Sequence, residues 1–117
     1  RRGVDWARTY LVKGWFDDTL TPELIRTHGI ERASVIMVDC VIYSSTRTVL
    51  RFCEPLIKGS AIIVFDDWNA YGLADDGMGE RRAFEEFLAD HPDIEVVGQL
   101  PTYDRLAAVF LVHRPAR

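Results

Sequence analysis

Two short apolar runs, each stopping abruptly at aspartate, constrain this chain most. Ala33-Ser34-Val35-Ile36-Met37-Val38 stops at Asp39, and Ala61-Ile62-Ile63-Val64-Phe65 stops at Asp66-Asp67. Runs of this length without polar alternation predict strands covered on both faces. Between them, Val49, Phe52, Cys53 and Leu56 recur at helical spacing, which makes a strand–helix–strand unit. A right-handed crossover sets such strands side by side. Ligands in open α/β sheets bind beyond the carboxyl ends of the strands, so Asp39, Asp66 and Asp67 are expected in one pocket. Their mutual repulsion disfavours that arrangement unless a cation is present. Oxygen-only donors, with no cysteine or histidine in the set, point to a hard ion, Mg2+ before Zn2+. Acids at strand ends also cap helices or accept loop amides, and the spacing alone leaves both roles open.

The remaining pattern extends the alternation. Thr9-Tyr10-Leu11-Val12 predicts a strand ending at Gly14. Thr21-Pro22-Glu23 opens a short helix with a cap, a proline at the first position and an acid facing the dipole; Gly29 stops it. Ser44, Ser45 and Thr46 offer caps for the next helix, Pro55 shortens its last turn and Lys58-Gly59 closes it. A polar loop from Trp68 to Gly79 leads into an amphipathic helix from Glu80 to Asp90, with Ala83, Phe84, Phe87 and Leu88 inward. His91-Pro92 breaks that helix. Ile94 to Val97 and Leu106 to Val112 predict two closing strands, joined through Pro101-Thr102-Tyr103-Asp104. The order β-α-β-α-β-α-β-β is an α/β fold with a largely parallel sheet and a hairpin-like finish. Gly77-Met78-Gly79 is no dinucleotide fingerprint, because no strand precedes it and Arg82 stands at the third glycine position. Asp17-Asp18 and Asp75-Asp76 fit solvated turns or caps.

Composition narrows the class. At 117 residues and 48% hydrophobic, the chain is one domain or part of a larger one. A net charge of −4 without a basic stripe argues against nucleic acid or an anionic membrane as the main partner. The apolar runs fall far short of the ~20 residues that span a bilayer. Two cysteines, Cys40 and Cys53, are too few for a secreted cystine framework and fit the reducing cytoplasm. A homo-oligomer is compatible with all of this.

Longer motifs give a resemblance. Val38-Asp39-Cys40-Val41-Ile42-Tyr43-Ser44-Ser45-Thr46, then Gly59 and Ile62-Ile63-Val64-Phe65-Asp66-Asp67, resemble the macrocin-type sugar O-methyltransferases, class I enzymes dependent on S-adenosylmethionine. Val12-Lys13-Gly14-Trp15-Phe16-Asp17-Asp18-Thr19-Leu20 matches the family's upstream glycine-phenylalanine-threonine-leucine segment, and Ala83-Phe84-Glu85-Glu86-Phe87 its next helix. The likeness runs from about Tyr10 to Val112. It implies a truncated Rossmann-like class I methyltransferase fold, mostly parallel with an antiparallel last strand, and a single partial domain over residues 1–117. The glycine-rich turn and ribose-binding acid of the cofactor half would precede Arg1, so the chain alone is expected to hold S-adenosylmethionine weakly and to be inactive.

The resemblance also implies roles. Asp39, Asp66 and Asp67 fall on the family's Mg2+ ligands, with Asp39 also catalytic. Gly14, Trp15, Phe16 and Cys40 fall at the S-adenosylmethionine site. Tyr43, Trp68, Asn69 and Tyr71 are suited to a small hydroxylated acceptor, a sugar or another natural product. Two departures stand out: Val41 occupies the place of a second family acid, and Ile42 that of the lysine base of catechol-type relatives. No general base follows from the sequence, and His28, His91 and His113 are weak candidates. Two other readings remain open: a non-catalytic methyltransferase-like binding module, and a Mg2+-dependent phosphoryl-transfer or receiver-like domain. The second is disfavoured because receiver domains carry their acidic pair on the first strand.

Overall fold

The computed structural model describes residues 3–116. It contains four strands, β1 (Val35–Val38), β2 (Gly59–Phe65), β3 (Glu95–Leu100) and β4 (Ala108–Arg114), and four helices, α1 (Phe16–Thr19), α2 (Pro22–His28), α3 (Tyr43–Cys53) and α4 (Gly79–Asp90). The strands form one mixed sheet in the order β1-β2-β4-β3. β1 and β2 pair in parallel, whereas β4 is antiparallel to both β2 and β3. Three strands therefore point one way and the last one runs back between β2 and β3. Only one of the three ladders is parallel, so the largely parallel sheet holds for strand direction and not for pairing.

Burial is one-sided. Ile36 and Val38 on β1, Ala61, Ile63 and Phe65 on β2 and Val112 on β4 pack against Leu50 and Cys53 of α3 and Ala83, Phe84 and Phe87 of α4. These residues alternate along their strands and recur every three or four positions on the helices, so one apolar stripe meets another. The opposite face is less well covered: Val35 and Met37 are 62% and 58% exposed. The expectation of a first strand covered on both faces is corrected, because α3 and α4 both lie on the same side of the sheet.

Further expectations change. Thr9 to Val12 forms no strand; a single 3-10 turn at Trp6–Arg8 precedes it and no ladder reaches it. A strand needs a neighbour to pair its amides, and β-propensity without one is too weak to order it. Ser44, Ser45 and Thr46 do not cap α3 but lie inside it, because the helix begins at Tyr43 with Ile42 as its cap residue. Thr46 is fully buried and returns its hydroxyl to the Ile42 carbonyl at 2.9 Å. Thr21 stands at the cap position of α2 without a side-chain cap bond, and Gly59 opens β2 rather than closing α3, which ends at Cys53. Gly29, at φ 60°, ends α2 with Gly29 N–H on the Arg26 carbonyl and Ile30 N–H on that of Ile25, the paired bonds of a Schellman cap. Pro55 diverts the chain after α3 into a 3-10 turn, Glu54–Leu56.

Candidate metal centre and adjoining groove

The parallel ladder builds the site. β1 and β2 run in register from Val35 opposite Ile62 to Val38 opposite Phe65, and the Asp66 amide continues the ladder by donating to the Val38 carbonyl at 2.9 Å. Asp39, Asp66 and Asp67 therefore leave two adjacent strand ends together. A carboxylate oxygen from each lies within 4.8 Å of the others. Asp39 is exposed and the other two are half-buried. The cluster's electrostatics show in Asp39, whose carboxyl is held above its usual range, first by a hydrogen bond with Asp67 and then by the charge of Asp66. Gathering three carboxylates here disfavours their full ionisation, a cost that a bound cation would relieve.

Two residues that the sequence did not single out complete the surroundings. Glu80, in the first turn of α4, is fully buried beneath the cluster; its Oε1 accepts from the Asp67 amide at 3.1 Å, and Oε2 has no hydrogen-bond partner. Burial pushes its carboxyl up to about 7, against the favourable influence of the Asp67 and Cys40 amides. The signal was present: Glu80 shares the apolar stripe of Ala83, Phe84 and Phe87, where an acid is out of place. Tyr103, from the loop between β3 and β4, donates its hydroxyl to Asp66 Oδ1, which raises the phenol to about 12. Its loop is pinned by Asp104, whose Oδ1 accepts from the amides of Leu106 and Ala107 at 2.9 and 3.0 Å.

The backbone beside Asp39 is strained. Val41 has φ 56°, and the Ile42 amide folds back onto the Cys40 carbonyl at 2.5 Å, a tight three-residue turn. A β-branched residue rarely adopts positive φ, and such outliers persist where the surroundings over-determine them. The turn leads from the strand-end acid into α3, which begins at Tyr43.

Gly14, Trp15, Phe16 and Cys40 come together as walls of a groove of about 390 Å³, completed by Asp17, Ser44, Ser45 and Thr48. Thr48 Oγ1 donates to Asp17 at 3.0 Å and so fastens α1 to α3. Gly14 is required there, since its φ is 141° and a Cβ would come within 2.7 Å of Thr19 Cγ2. Trp15 presents an indole that is 83% exposed. Cys40 links groove and cluster: it follows Asp39 directly, and its Sγ lies 3.5 Å from Thr46 Oγ1. Cys53 faces the core, where burial pushes its thiol up to about 11. Iodoacetamide at neutral pH is expected to modify Cys40 well before Cys53, checked by peptide mass mapping; equal rates would contradict this burial.

The expected acceptor residues each make separate contacts. Trp68 packs into the aromatic cluster, its ring centroid 5.0 Å from both Phe65 and Phe110. Asn69 spends its amide on the Arg105 carbonyl at 2.8 Å, joining the loops after β2 and before β4. Tyr71 stands 89% exposed. Tyr43 donates its hydroxyl to Glu86 on α4 at 2.5 Å beneath the Arg82 guanidinium. The histidines are engaged elsewhere: His28 against Tyr10, His91 against Phe87 and His113 on the Ser60 hydroxyl.

No protein-family model and no curated protein matches this chain. The geometry and the residues themselves therefore carry the functional argument. Among the described residues no helix is long and apolar enough to cross a membrane.

Proposed function

We propose that the chain is the metal- and acceptor-binding part of a Mg2+-assisted, S-adenosylmethionine-dependent O-methyltransferase with a Rossmann-like class I fold, acting on a hydroxyl of a sugar or similar small molecule. The observation that carries the reading is the convergence of Asp39, Asp66 and Asp67 beside a groove walled by Gly14, Trp15, Phe16 and Cys40. The direction of the last strand, antiparallel to its neighbours, agrees with the fold that the motif resemblance implies.

The donor set suits the ion. Oxygens on one octahedral Mg2+ at about 2.1 Å lie about 3–4 Å apart, and one oxygen from each of these carboxylates already lies within 4.8 Å of the others. Asp39, Asp66 and Asp67 would hold the ion, and the exposed side of Asp39 leaves room for water or acceptor oxygens. When bound, Mg2+ supplies Lewis acidity toward an acceptor hydroxyl and S-adenosylmethionine supplies the methyl group. The chain's own contribution is positional. The Trp15 and Phe16 rings offer apolar faces to a purine, and Cys40 and the Val41 turn fix how far the groove stands from the acids. Removing one acid leaves the others without a complete cage.

The test is transfer of a labelled methyl group from S-adenosylmethionine to a panel of polyhydroxylated acceptors, using the protein of the full reading frame that contains this chain. Transfer that is lost with chelator, restored by Mg2+ and abolished in Asp39→Asn is expected. Transfer that persists in Asp66→Ala would rule out the metal role. Mg2+ binding without transfer would favour the non-catalytic reading, to which Val41 in place of an acid lends weight.

A further inference from the structure

We infer that Glu80 is a positioning residue of the cation site, holding from within the fold the strand end that carries Asp67. The inference rests on the metal reading of the three aspartates, and it assigns a role to a residue outside their donor set.

Four observations lead there. Glu80 is the one acidic side chain among the described residues that is fully buried. The helix start beside it is tight: Gly79 has φ 63°, and a Cβ there would come within 3.0 Å of Leu73 Cδ1. Its Oε1 holds the Asp67 amide at 3.1 Å. That amide belongs to a residue of the ligand set itself. Finally, Oε2 is left without a partner on the helix face that carries the buried Ala83 and Phe84.

A buried carboxylate oxygen without a partner destabilises a fold, and the single bond from the Asp67 amide to Oε1 offsets only part of that cost. Methionine would fill a similar volume and remove the orphaned oxygen. What methionine cannot do is accept the Asp67 amide and so fix the direction in which the Asp67 carboxylate leaves the strand. Partners of this kind behind metal ligands typically command 10–100-fold in metal affinity.

The experiment uses Mn2+ as the probe, titrated by electron paramagnetic resonance, together with thermal melts and amide exchange at Asp67. Glu80→Met is expected to keep a cooperative thermal melt and yet bind Mn2+ about tenfold or more weakly. Glu80→Gln keeps a carbonyl acceptor and is expected to stay within about threefold of the parent, a rescue that mere packing does not produce. Parent-like Mn2+ affinity in Glu80→Met overturns the inference. So does a tenfold loss in a folded Glu80→Gln, which decides the matter if Glu80→Met does not fold. If the parent chain binds no Mn2+, the metal reading itself fails. The clamp is then judged on exchange alone: protection of the Asp67 amide lost in Glu80→Met supports it, and unchanged protection refutes it.

Discussion

Phe65→Ala is expected to cost about 3–5 kcal/mol of folding stability, the range for truncating a fully buried aromatic side chain. Phe65 is 0% exposed and ends β2, with Val38 of β1 on one side and Ala108 of β4 on the other. Its ring meets Trp68, Phe84 and Phe110 at centroid distances of 5.0, 4.9 and 6.0 Å, so one truncation opens a cavity between the sheet, α4 and the loop after β2. A domain of this size has about 5–15 kcal/mol in total, and the loss would lower its melting temperature by roughly 15 °C. Phe65→Leu, which keeps most of the volume, should lose clearly less. Urea melts check both; a change below about 1.5 kcal/mol for the alanine variant would mean that the cluster collapses around the gap. The residue also bears on the site, because Asp66 and Asp67 are the next two residues.

How far the sequence disclosed this arrangement depended on the range of the interaction. Gly29 ends α2 and Pro55 ends α3 because each acts through its own backbone, and such effects are written in a few adjacent residues. The meeting of Asp39 with Asp66 and Asp67 was also legible, since a crossover of one short helix leaves adjacent parallel strands as the natural outcome. What failed was inference that needed a partner elsewhere. Thr9 to Val12 has the composition of a strand but no ladder. Val35 and Met37 are apolar enough for a covered face, yet both helices pack on the other one.

The site shows the same division. Tyr103 bonds to Asp66 only because β4 enters the sheet between β2 and β3, which brings the loop before β4 over the end of β2. No local pattern around Tyr103 announces that. Trp68 has the look of an exposed recognition residue, but the aromatic surface of Phe65, Phe84 and Phe110 draws it inward, where its area is better buried. Glu80 is the different case. Its position on the stripe of Ala83, Phe84 and Phe87 was visible in the sequence, and an acid on such a stripe signals either a partner or a function.

Without divalent cation, the protein is expected to lose stability as pH rises from about 4.5 to 7, and Mg2+ is expected to restore it. Glu80 is raised from 4.5 to about 7 when folded, first by burial, and Asp39 is raised by its hydrogen bond to Asp67 and the charge of Asp66. Each binds its proton more tightly folded than unfolded. The stability they contribute is full below the unfolded value and is lost as pH rises through the folded one. For buried Glu80 the loss is on the order of 2–3 kcal/mol. Glu86 works in the opposite sense, being lowered by the Tyr43 hydroxyl, but its shift acts at the acid end of the range. A cation binds the ionised cluster, so it opposes the loss where the loss is greatest. At a hundredfold excess over its dissociation constant it returns about 2.7 kcal/mol. Melts at both ends of the pH window, with and without millimolar Mg2+, measure this directly. Asp39→Asn should separate the two effects: relief of repulsion leaves the metal-free melt at neutral pH no lower than the parent's, while the Mg2+ response falls by about tenfold in affinity or more. A variant that still responds to Mg2+ as the parent does would exclude Asp39 as a ligand. A parent chain whose stability is flat across the window would mean that the three strand-end acids and Glu80 do not share the field that their placement implies.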